Sequence, residues 1–296
     1  MTKEKEEGLI FNFLTLCLLR IYFPQSQVKL IIISTFAEIY NTLPMLIIVF
    51  FFAHHYFSLF SQTFFHHRYA AHRQFTMSRG WEKFFYIYSW ATQGSSYLSP
   101  YAYAIMHRMH HAHADTELDP HSPKYDNNVF SMMMRTKKIY YNIFTKQADI
   151  DPKFTKDVPE WQSFDKFGDS WLSRISWGTF YVLFYFFCIT VFELPGTHWA
   201  MYFLLPIHFV MGPVHGAIIN WFAHKYGYTN HKLEDTSKNL FPLEVIMWGE
   251  GLHNNHHTYP ARANFANKWW EFDLAYPVIK VMHMFGIIKL RKVQAA

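Results

Sequence analysis

Cysteine is nearly absent from this chain of 296 residues, which has only Cys17 and Cys188. Both lie in apolar stretches, which excludes a disulfide framework, and no Cys-x-x-Cys motif for metal or redox chemistry occurs. A haem-binding His-Pro-Gly-Gly sequence is missing as well. The sequence therefore shows no electron carrier of its own.

Charged residues are absent from long parts of the chain. Three windows contain no Asp, Glu, Lys or Arg, namely residues 39–65, 175–192 and 199–223. Since a helix needs about 20 predominantly apolar residues to cross a bilayer, we predict a transmembrane helix in each window. Residues 9–37 are a weaker candidate, because Arg20, Lys29 and Pro24 interrupt them. We expect that segment either to span the membrane or to lie in its interface.

The distribution of basic residues predicts a topology. Residues 84–105 also lack charge, but Gly94 and Pro100 make a poor spanning helix, so we interpret the segment as interfacial. The connection 193–198 has no Lys or Arg, whereas basic residues follow the first histidine pair and occupy the C-terminus (Arg73, Arg79, Lys83, Lys289, Arg291 and Lys292). With no cleavable signal sequence, we expect a multi-pass protein of the inner membrane whose histidine-rich side faces the cytoplasm.

Histidine, in contrast, occurs 19 times. Nine of these residues form three short groups and one single position: His67 and His72; His107, His110 and His111; His253, His256 and His257; and His224 alone. On a helix, residues at i, i+3 and i+4 share a face, so the three rings of 107–111 should point the same way, as should those of 253–257. His67 and His72 are about 140° apart on a regular helix and must straddle a helix end or flank the site.

The spacing indicates a metal site better than it indicates an exposed polar surface. Neutral imidazole is a strong ligand for iron, zinc and copper, and buried ring nitrogens need partners. A polar helix face would explain one His-x-x-His-His sequence but explains two poorly. Because one ion is saturated by about four to six ligands, nine histidines imply two ions.

The motifs that are missing narrow the chemistry. The chain has one Glu-x-x-His sequence, at 250–253, where soluble four-helix bundles that hold two irons use two. The metalloprotease motif His-Glu-x-x-His is absent. Two iron ions can activate dioxygen to attack an unactivated C–H bond, with the protein supplying position and exclusion of water. In a membrane, this chemistry favours an apolar substrate.

The complete order of motifs resembles the membrane acyl-CoA desaturases of the stearoyl-CoA delta-9 group. The matching sequences are HRYAAH (67–72), HRMHH (107–111), NWFAH (220–224) and HNNHH (253–257), with DPHSP, KYGY and GEGLHNNHHTYP at or around them. The resemblance covers about residues 40–292. Residues 149–174 do not match the animal enzymes and are closer to bacterial members.

The resemblance implies two iron ions and a ligand set for each. One iron would take His67, His72, His107, His111 and His256; the other would take His110, His224, His253 and His257, with Asn220 holding a water. No catalytic residue beyond these ligands is expected. Glu250 is either a partner that orients a ligand imidazole or an exposed turn residue.

The remaining histidines are expected to have ordinary roles. His66 should make a hydrogen bond beside the first ligand, and His113 and His121 should satisfy local backbone. Four histidines within or near the predicted spans should pair as neutral imidazoles between helices: His54, His55, His208 and His215. Met132–Met134 would either line an acyl pocket or fill the core, and we favour the core.

The predicted fold is an all-α integral membrane protein with about four transmembrane helices and a cytoplasmic helical cap that holds a dimetal site. Residues 1–38 would form an N-terminal segment, 39–292 a fatty acid desaturase domain and 293–296 a tail. The predicted reaction introduces a cis double bond into a fatty acyl chain, with acyl-CoA and the delta-9 position favoured. Acyl carrier protein and intact lipid remain open as carriers of the chain.

The expected partners are long-chain acyl-CoA or acyl lipid, dioxygen and membrane lipid, with no nucleic acid. Two electrons would come from a separate ferredoxin or cytochrome b5-type protein with its reductase. A hydroxylase or ketolase of the same histidine-rich superfamily is the nearest alternative. A membrane metal transporter, or a haem protein using His208 and His215, is the alternative from another class.

Overall fold

A computed structural model describes residues 46–190 and 198–291, and nearly all its regular structure is helical. The predictions for residues 9–37 and for the tail 293–296 lie outside the described residues. Most of the connection 193–198 lies outside them as well.

Two helices are long and apolar enough to cross a membrane. Helix α1 is Leu46–Ala71, whose last part, Ser61–Ala71, is a π-helix, and helix α7 is Trp171–Thr190. They overlap two of the three predicted windows, over residues 46–65 and 175–190, and the rest of those windows lies outside the described residues. The described residues therefore support two spans directly, or three if the next pair of helices forms one.

The third window is bent rather than straight. Ala200–Phe209 and Met211–Phe222 meet at an angle of 74°. Pro213 explains the break. Its ring would clash with the carbonyl oxygen of the residue four positions earlier in a straight helix, and its nitrogen has no hydrogen to donate to that oxygen. Gly212 then packs on Ser96, whose carbonyl oxygen would lie 3.0 Å from an added Cβ. This pair is either a broken span or a re-entrant loop.

Residues 84–105 do not form one helix, which agrees with their interpretation as a non-spanning segment. Helix α2, Arg79–Gln93, ends at Gly94, where the backbone has φ +55° and an added Cβ would collide with the Tyr181 hydroxyl. Helix α3, Pro100–His113, starts after Ser99, whose hydroxyl accepts from the Ala102 backbone N–H at 3.3 Å.

The other elements are short. The remaining helices are α4 (Val129–Phe144), α5 (Pro152–Thr155), α6 (Gln162–Asp169), α8 (Leu205–Phe209), α9 (Met211–Ala217), α10 (His253–Thr258) and α11 (Ala275–Met284). Three-residue and seven-residue 3₁₀ turns cover Gly94–Ser96 and His198–Leu204, and a π turn, Ile218–Phe222, follows α9. Strand β1 (Phe75–Met77) pairs antiparallel with β4 (Ile288–Leu290), and β2 (Leu243–Glu244) pairs parallel with β3 (Phe272–Asp273).

An aromatic core surrounds the π-helical end of α1. Phe64 and Phe65 are fully buried and contact the ring of Phe85 on α2, with centroids 4.7 and 5.9 Å away. Ile279 of α11 belongs to the same cluster. Each fully buried side chain of this size contributes roughly 1.5–3 kcal/mol relative to exposure. This packing fixes the helix end that carries His67.

The described chain divides into two units. The larger contains Phe51–Leu183 and the residues from Phe203 onwards, and therefore all nine patterned histidines. The smaller comprises, among described residues, 46–50, 184–190 and 198–202, where the rings of Phe50 and Phe184 are 4.6 Å apart. The predicted single domain 39–292 stays a prediction.

Candidate metal centre

Five of the nine histidines converge on one point. They come from the end of α1, from α3 and from α10: His67, His72, His107, His111 and His256. One ring nitrogen from each lies within 4.8 Å of the other four. Nε2 to Nε2 distances are 2.9 Å for the pairs 67–256 and 72–107, and 3.0 Å for 107–111 and 111–256.

The π-helix brings His67 and His72 together. A π-helix closes its hydrogen bonds between residues five apart, and here the His72 backbone N–H donates to the His67 carbonyl at 3.1 Å. His72 is the C-terminal cap of the segment, so the prediction that the pair straddles a helix end is confirmed. The separation of about 140° applies only to an α-helix and is wrong here.

The other four histidines form a second cluster: His110, His224, His253 and His257. Nε2 of His224 is 3.1 Å from Nε2 of His253, and His110 is 3.3 Å from His257. The expectation that all three rings of a His-x-x-His-His sequence point the same way is therefore only partly met. Residues four apart in these sequences share a cluster. His110 and His256, in contrast, each belong to the other cluster than the remaining two histidines of their own sequence. Helices α3 and α10 lie between the two clusters and therefore contribute histidines to both.

The donor set fits metal ions. At a metal–nitrogen distance of about 2.0–2.1 Å, ligands at right angles are about 3 Å apart, close to the separations within both clusters. Hydrogen bonding is a poor alternative, because each neutral imidazole has one N–H and cannot serve four close neighbours. Imidazole nitrogens suit iron, zinc, copper or nickel. The two clusters contain the same histidines as the two ligand sets that the sequence resemblance implies.

Carboxylates hold the outer Nδ1 atoms of four of these rings. The pairs are Glu250 with His67 at 2.6 Å, Asp119 with His110 at 2.9 Å, Asp235 with His257 at 3.0 Å, and Asp115 with His224 at 3.5 Å. The contacts of His110 and His257 are hydrogen bonds, and such bonds fix the tautomer so that Nε2 keeps its lone pair for a metal. Glu250 is only 8% exposed, which decides between its two interpretations in favour of the orienting partner.

Most of these carboxylates could not be predicted from the sequence as partners of the histidines. Asp119 had a signal, since it begins the DPHSP sequence nine residues after His110. Asp115 and Asp235 have none, because each lies in a loop, and Asp235 reaches a histidine 22 residues away. Arg68 was also missed: fully buried, its Nη1 donates to Glu250 at 3.0 Å and its Nη2 to Asp273 at 2.9 Å.

Burial keeps several of the clustered rings uncharged. Burial first, and neighbouring imidazoles second, lower the pKa of His107, His111 and His256 well below its ordinary value. Burial also lowers the pKa of His257 to about 4, although the hydrogen bond with Asp235 opposes it. These side chains therefore present neutral nitrogen donors at neutral pH.

A narrow cavity of about 50 Å³ adjoins both clusters. His107 of one cluster and His253 of the other line it, with Glu250 and Asn220. Asn220 lies in the π turn Ile218–Phe222, close before His224. Apolar Met106, Ile219 and Met247 complete part of the wall, so the cavity can bring an apolar group beside both clusters.

The other histidines behave largely as expected. His66 contacts the carbonyls of Ser61 at 3.2 Å and Leu98 at 2.9 Å. Histidines pair between α1 and the bent helices, His54 with His208 at 2.6 Å and His55 with His215 at 3.0 Å. Both expectations are confirmed.

One expectation outside the clusters is wrong, and another is only partly met. Instead of satisfying backbone, the ring of His121 is buried, lies tilted against the ring of His110 with centroids 4.3 Å apart, and has no hydrogen-bond partner among the described residues. The loop holds it there because its backbone N–H donates to Asp119 at 3.0 Å. Met132 fills the core, but Met134 is 64% exposed because it is on the outer side of α4.

Comparisons with known proteins match this arrangement. Residues 41–282 match the family model described as fatty acid desaturase. The chain is 31% identical over 226 residues to the sn-1 stearoyl-lipid 9-desaturase of Synechocystis, covering 75% of this chain and 64% of that protein. It is 28% identical to the sn-1 stearoyl-lipid 9-desaturase of Anabaena variabilis, covering 75% and 74%. It is 30% identical to the Delta-9 desaturase-like 5 protein of Arabidopsis thaliana, covering 77% and 70%.

The buried histidine clusters beside apolar helices define a membrane protein with a site suited to metal ions. With the match over residues 41–282, the chain belongs to the fatty acid desaturase family. The aligned part spans slightly less than two thirds of the Synechocystis relative.

Proposed function

We propose that this protein is a membrane-bound diiron desaturase that introduces a cis double bond at the delta-9 position of a fatty acyl chain. The convergence of nine histidines in two clusters, in a chain of the desaturase family, carries the proposal. Soluble diiron bundles use carboxylates as metal ligands, whereas here the carboxylates contact the outer Nδ1 atoms of the imidazoles.

His67, His72, His107, His111 and His256 would hold one iron. His110, His224, His253 and His257 would hold the other, with Asn220 binding a water beside it. The spacing of about 3 Å between ring nitrogens supports the histidines as iron ligands. Asn220 lines the cavity together with His253, which supports its role in binding a water beside the second iron.

Bound iron would supply the activation of dioxygen that removes hydrogen from an unactivated C–H bond. The protein's residues position the chain: Met106, Ile219 and Met247 would hold methylene groups against His107 and His253. Most rings of the two clusters are buried, which limits the access of water to this place. Overall, one dioxygen, two electrons, two protons and two vicinal hydrogens of the chain yield an alkene and two waters.

The electrons would come from a separate ferredoxin or cytochrome b5-type protein with its reductase, because the sequence has two cysteines and no haem motif. For the carrier of the acyl chain we favour a membrane lipid. The sequence resemblance favours acyl-CoA, but the named activities of the Synechocystis and Anabaena relatives are on stearoyl-lipid. Acyl-CoA is the alternative substrate.

We further propose that the site faces the cytoplasm from the inner membrane, that a helical cap covers it, and that four helices span. Basic residues near the site support the orientation, including exposed Arg79 and Lys289. The desaturase domain would comprise residues 39–292.

Fatty acid analysis of a bacterial host that lacks its own delta-9 desaturase tests the activity. Expression should produce a new monounsaturated acid with the double bond at carbon 9, and the His110→Ala variant should remain in the membrane without producing it. Feeding labelled stearoyl-lipid or stearoyl-CoA to isolated membranes then separates the two carriers. Hydroxylated or keto products without new alkenes would show a hydroxylase or ketolase instead, and full activity of His110→Ala would remove that histidine from the site.

Metal analysis of the purified protein separates the proposal from the remaining alternatives. We expect about two irons per chain and no haem absorption band, as the two clusters imply. A haem spectrum would contradict the desaturase proposal. So would transport of metal ions by vesicles containing the protein, without any fatty acid product.

A further inference from the structure

Seven large apolar side chains on two neighbouring segments are exposed around the β2–β3 pair. We call them the β2–β3 face: Phe241, Leu243, Val245, Ile246, Trp269, Trp270 and Phe272. Leu243 is 63% exposed and Trp269 is 95% exposed. Leu243 pairs with Phe272 in the strand register, which joins the two segments into one surface. An exposed apolar surface of this kind calls for a partner.

The face carries no exposed charge between residues 241 and 246. The acidic residue there, Glu244, is fully buried, and its Oε2 accepts from the Gly251 backbone N–H at 2.6 Å. The strand alternation thus turns the carboxylate inward and leaves only apolar side chains outside. This is the pattern expected of a surface that meets hydrocarbon rather than water.

Contacts with α1 show which part of this candidate membrane-spanning helix lies beside the β2–β3 face. The ring of His55 lies beside the backbone of Ile246, and the rings of Tyr56 and Trp248 are 5.9 Å apart. On the same part of α1, Phe52 and Phe57 are 55% and 53% exposed. Ile246 therefore lies at the level of side chains that a spanning helix presents to lipid.

Non-helical backbone at membrane depth is tolerated only where the protein satisfies its polar groups. This segment meets that requirement. The Phe272 N–H donates to the Pro242 carbonyl at 2.8 Å, and the Gly249 N–H donates to the Glu244 carbonyl at 3.2 Å. The remaining side of the segment can then face hydrocarbon without leaving these groups unpaired.

The edge of the face has the composition of a membrane interface. Trp269 and Trp270 follow an exposed lysine, Lys268. Tryptophan is enriched at the headgroup level, and lysine places its ammonium among the headgroups while its stem stays apolar. The sequence Lys-Trp-Trp therefore marks where the face would leave the acyl region.

We propose that the β2–β3 face is immersed in the acyl chains of one membrane leaflet, the leaflet on which the histidine clusters lie. The segment that leads into HNNHH thus dips into the bilayer without crossing it. The proposal stands whether or not the clusters hold iron.

Spin labelling in lipid vesicles tests the immersion. In full-length protein with Cys17→Ser and Cys188→Ala, a nitroxide is attached to Leu243→Cys or Ile246→Cys, in vesicles of phosphatidylcholine and phosphatidylglycerol. Phe57→Cys is the control for lipid and Lys232→Cys, on an exposed polar loop, is the control for water. Collision rates with dioxygen, which concentrates in hydrocarbon, are compared with those of a water-soluble nickel chelate.

We expect the ratio of dioxygen to nickel collisions at 243 and 246 to equal that at 57 and to exceed that at 232 severalfold. A ratio like that at 232 would overturn the proposal, because the face would then be in water. Low collision rates with both reagents, together with spin–spin broadening that disappears on dilution with unlabelled protein, would also overturn it. That result would show a second copy of the chain on the face.

Discussion

Glu250 has two oxygens with different partners. Its Oε2 lies 2.6 Å from His67 Nδ1, and its Oε1 accepts from Arg68 Nη1 at 3.0 Å. Burial alone would raise the pKa of this carboxyl, but His67 and Arg68 outweigh burial and lower it. The carboxylate is therefore charged where it orients His67.

Replacing Glu250 should weaken one metal position and spare the other. Glu250→Gln removes the charge that orients His67, and loss of such a partner typically reduces metal affinity about 10–100-fold. We expect the purified variant to retain about one iron per chain, with loss from the five-histidine cluster. Metal analysis at limiting iron measures this.

Asp235→Asn is the matched control, because it acts on His257 of the other cluster. Combining both substitutions should remove both irons. Wild-type iron affinity in Glu250→Gln would show that the carboxylate does not position His67.

The neutral state of the buried rings gives a pH dependence to the metal-free protein. In the folded state the pKa of His257 is lowered by burial from 6.5 to about 4. Below about pH 6.5 the unfolded chain binds protons that the folded chain does not, so stability should fall as the pH falls towards 4. Thermal unfolding at about pH 7.5 and about pH 5 measures this, and a midpoint that rises on acidification would contradict it.

At the residue scale, spacing revealed the histidines but not their partners. Short repeats such as HRMHH show that several ligands share a helix, so the nine residues could be predicted. Arg68 gave no signal, because its two partners, Glu250 and Asp273, are 182 and 205 residues away. Only the folded chain brings these groups together.

At the element scale, the two π segments were not predictable from hydrophobic pattern. Ser61–Ala71 ends directly before His72, and Ile218–Phe222 ends shortly before His224, with Ala223 between them. An α-helix of the same sequence would have the same apolar residues but would turn these side chains elsewhere. Such π segments often occur at functional sites for this reason.

The α2–α3 corner depends on one glycine. At Gly94 the backbone has φ +55°, and an added Cβ would lie inside the Tyr181 hydroxyl. Gly94→Ala should therefore lower the free energy of unfolding by about 1–3 kcal/mol or more, since strain and steric overlap add. Thermal denaturation in detergent measures the change.

Gly80→Ala in the first turn of α2 is the control. Its Cβ would meet only the Ser78 hydroxyl at 3.9 Å, and alanine is favoured over glycine in helices by about 1 kcal/mol. This variant should be as stable as the wild type or slightly more stable. Equal effects of the two substitutions would show that the Gly94 conformation is not required.

At the scale of the whole molecule, composition predicted the apolar helices well and their shape less well. The windows 39–65 and 175–192 correspond to α1 and α7. The window 199–223 looked like a straight helix because hydropathy does not register the effect of Pro213, and the structure bends it by 74°.

Orientation in the membrane gives a prediction for the complete chain. Because Lys and Arg favour the cytoplasmic side, the C-terminus after Lys289 and Arg291 should lie in the cytoplasm. A green fluorescent protein fused there should fluoresce in a bacterial host, and an alkaline phosphatase fused there should be inactive. The reverse pattern would place the histidine clusters on the other side.

The central claim is that two separate clusters of histidines bind two iron ions. Anomalous X-ray diffraction recorded at the iron absorption edge, on crystals of the iron-loaded protein, tests it most directly. We predict two anomalous peaks, one among the five-histidine cluster around His67 and one among the four-histidine cluster around His224. A single peak, or peaks that appear at the zinc edge and not at the iron edge, would contradict the account.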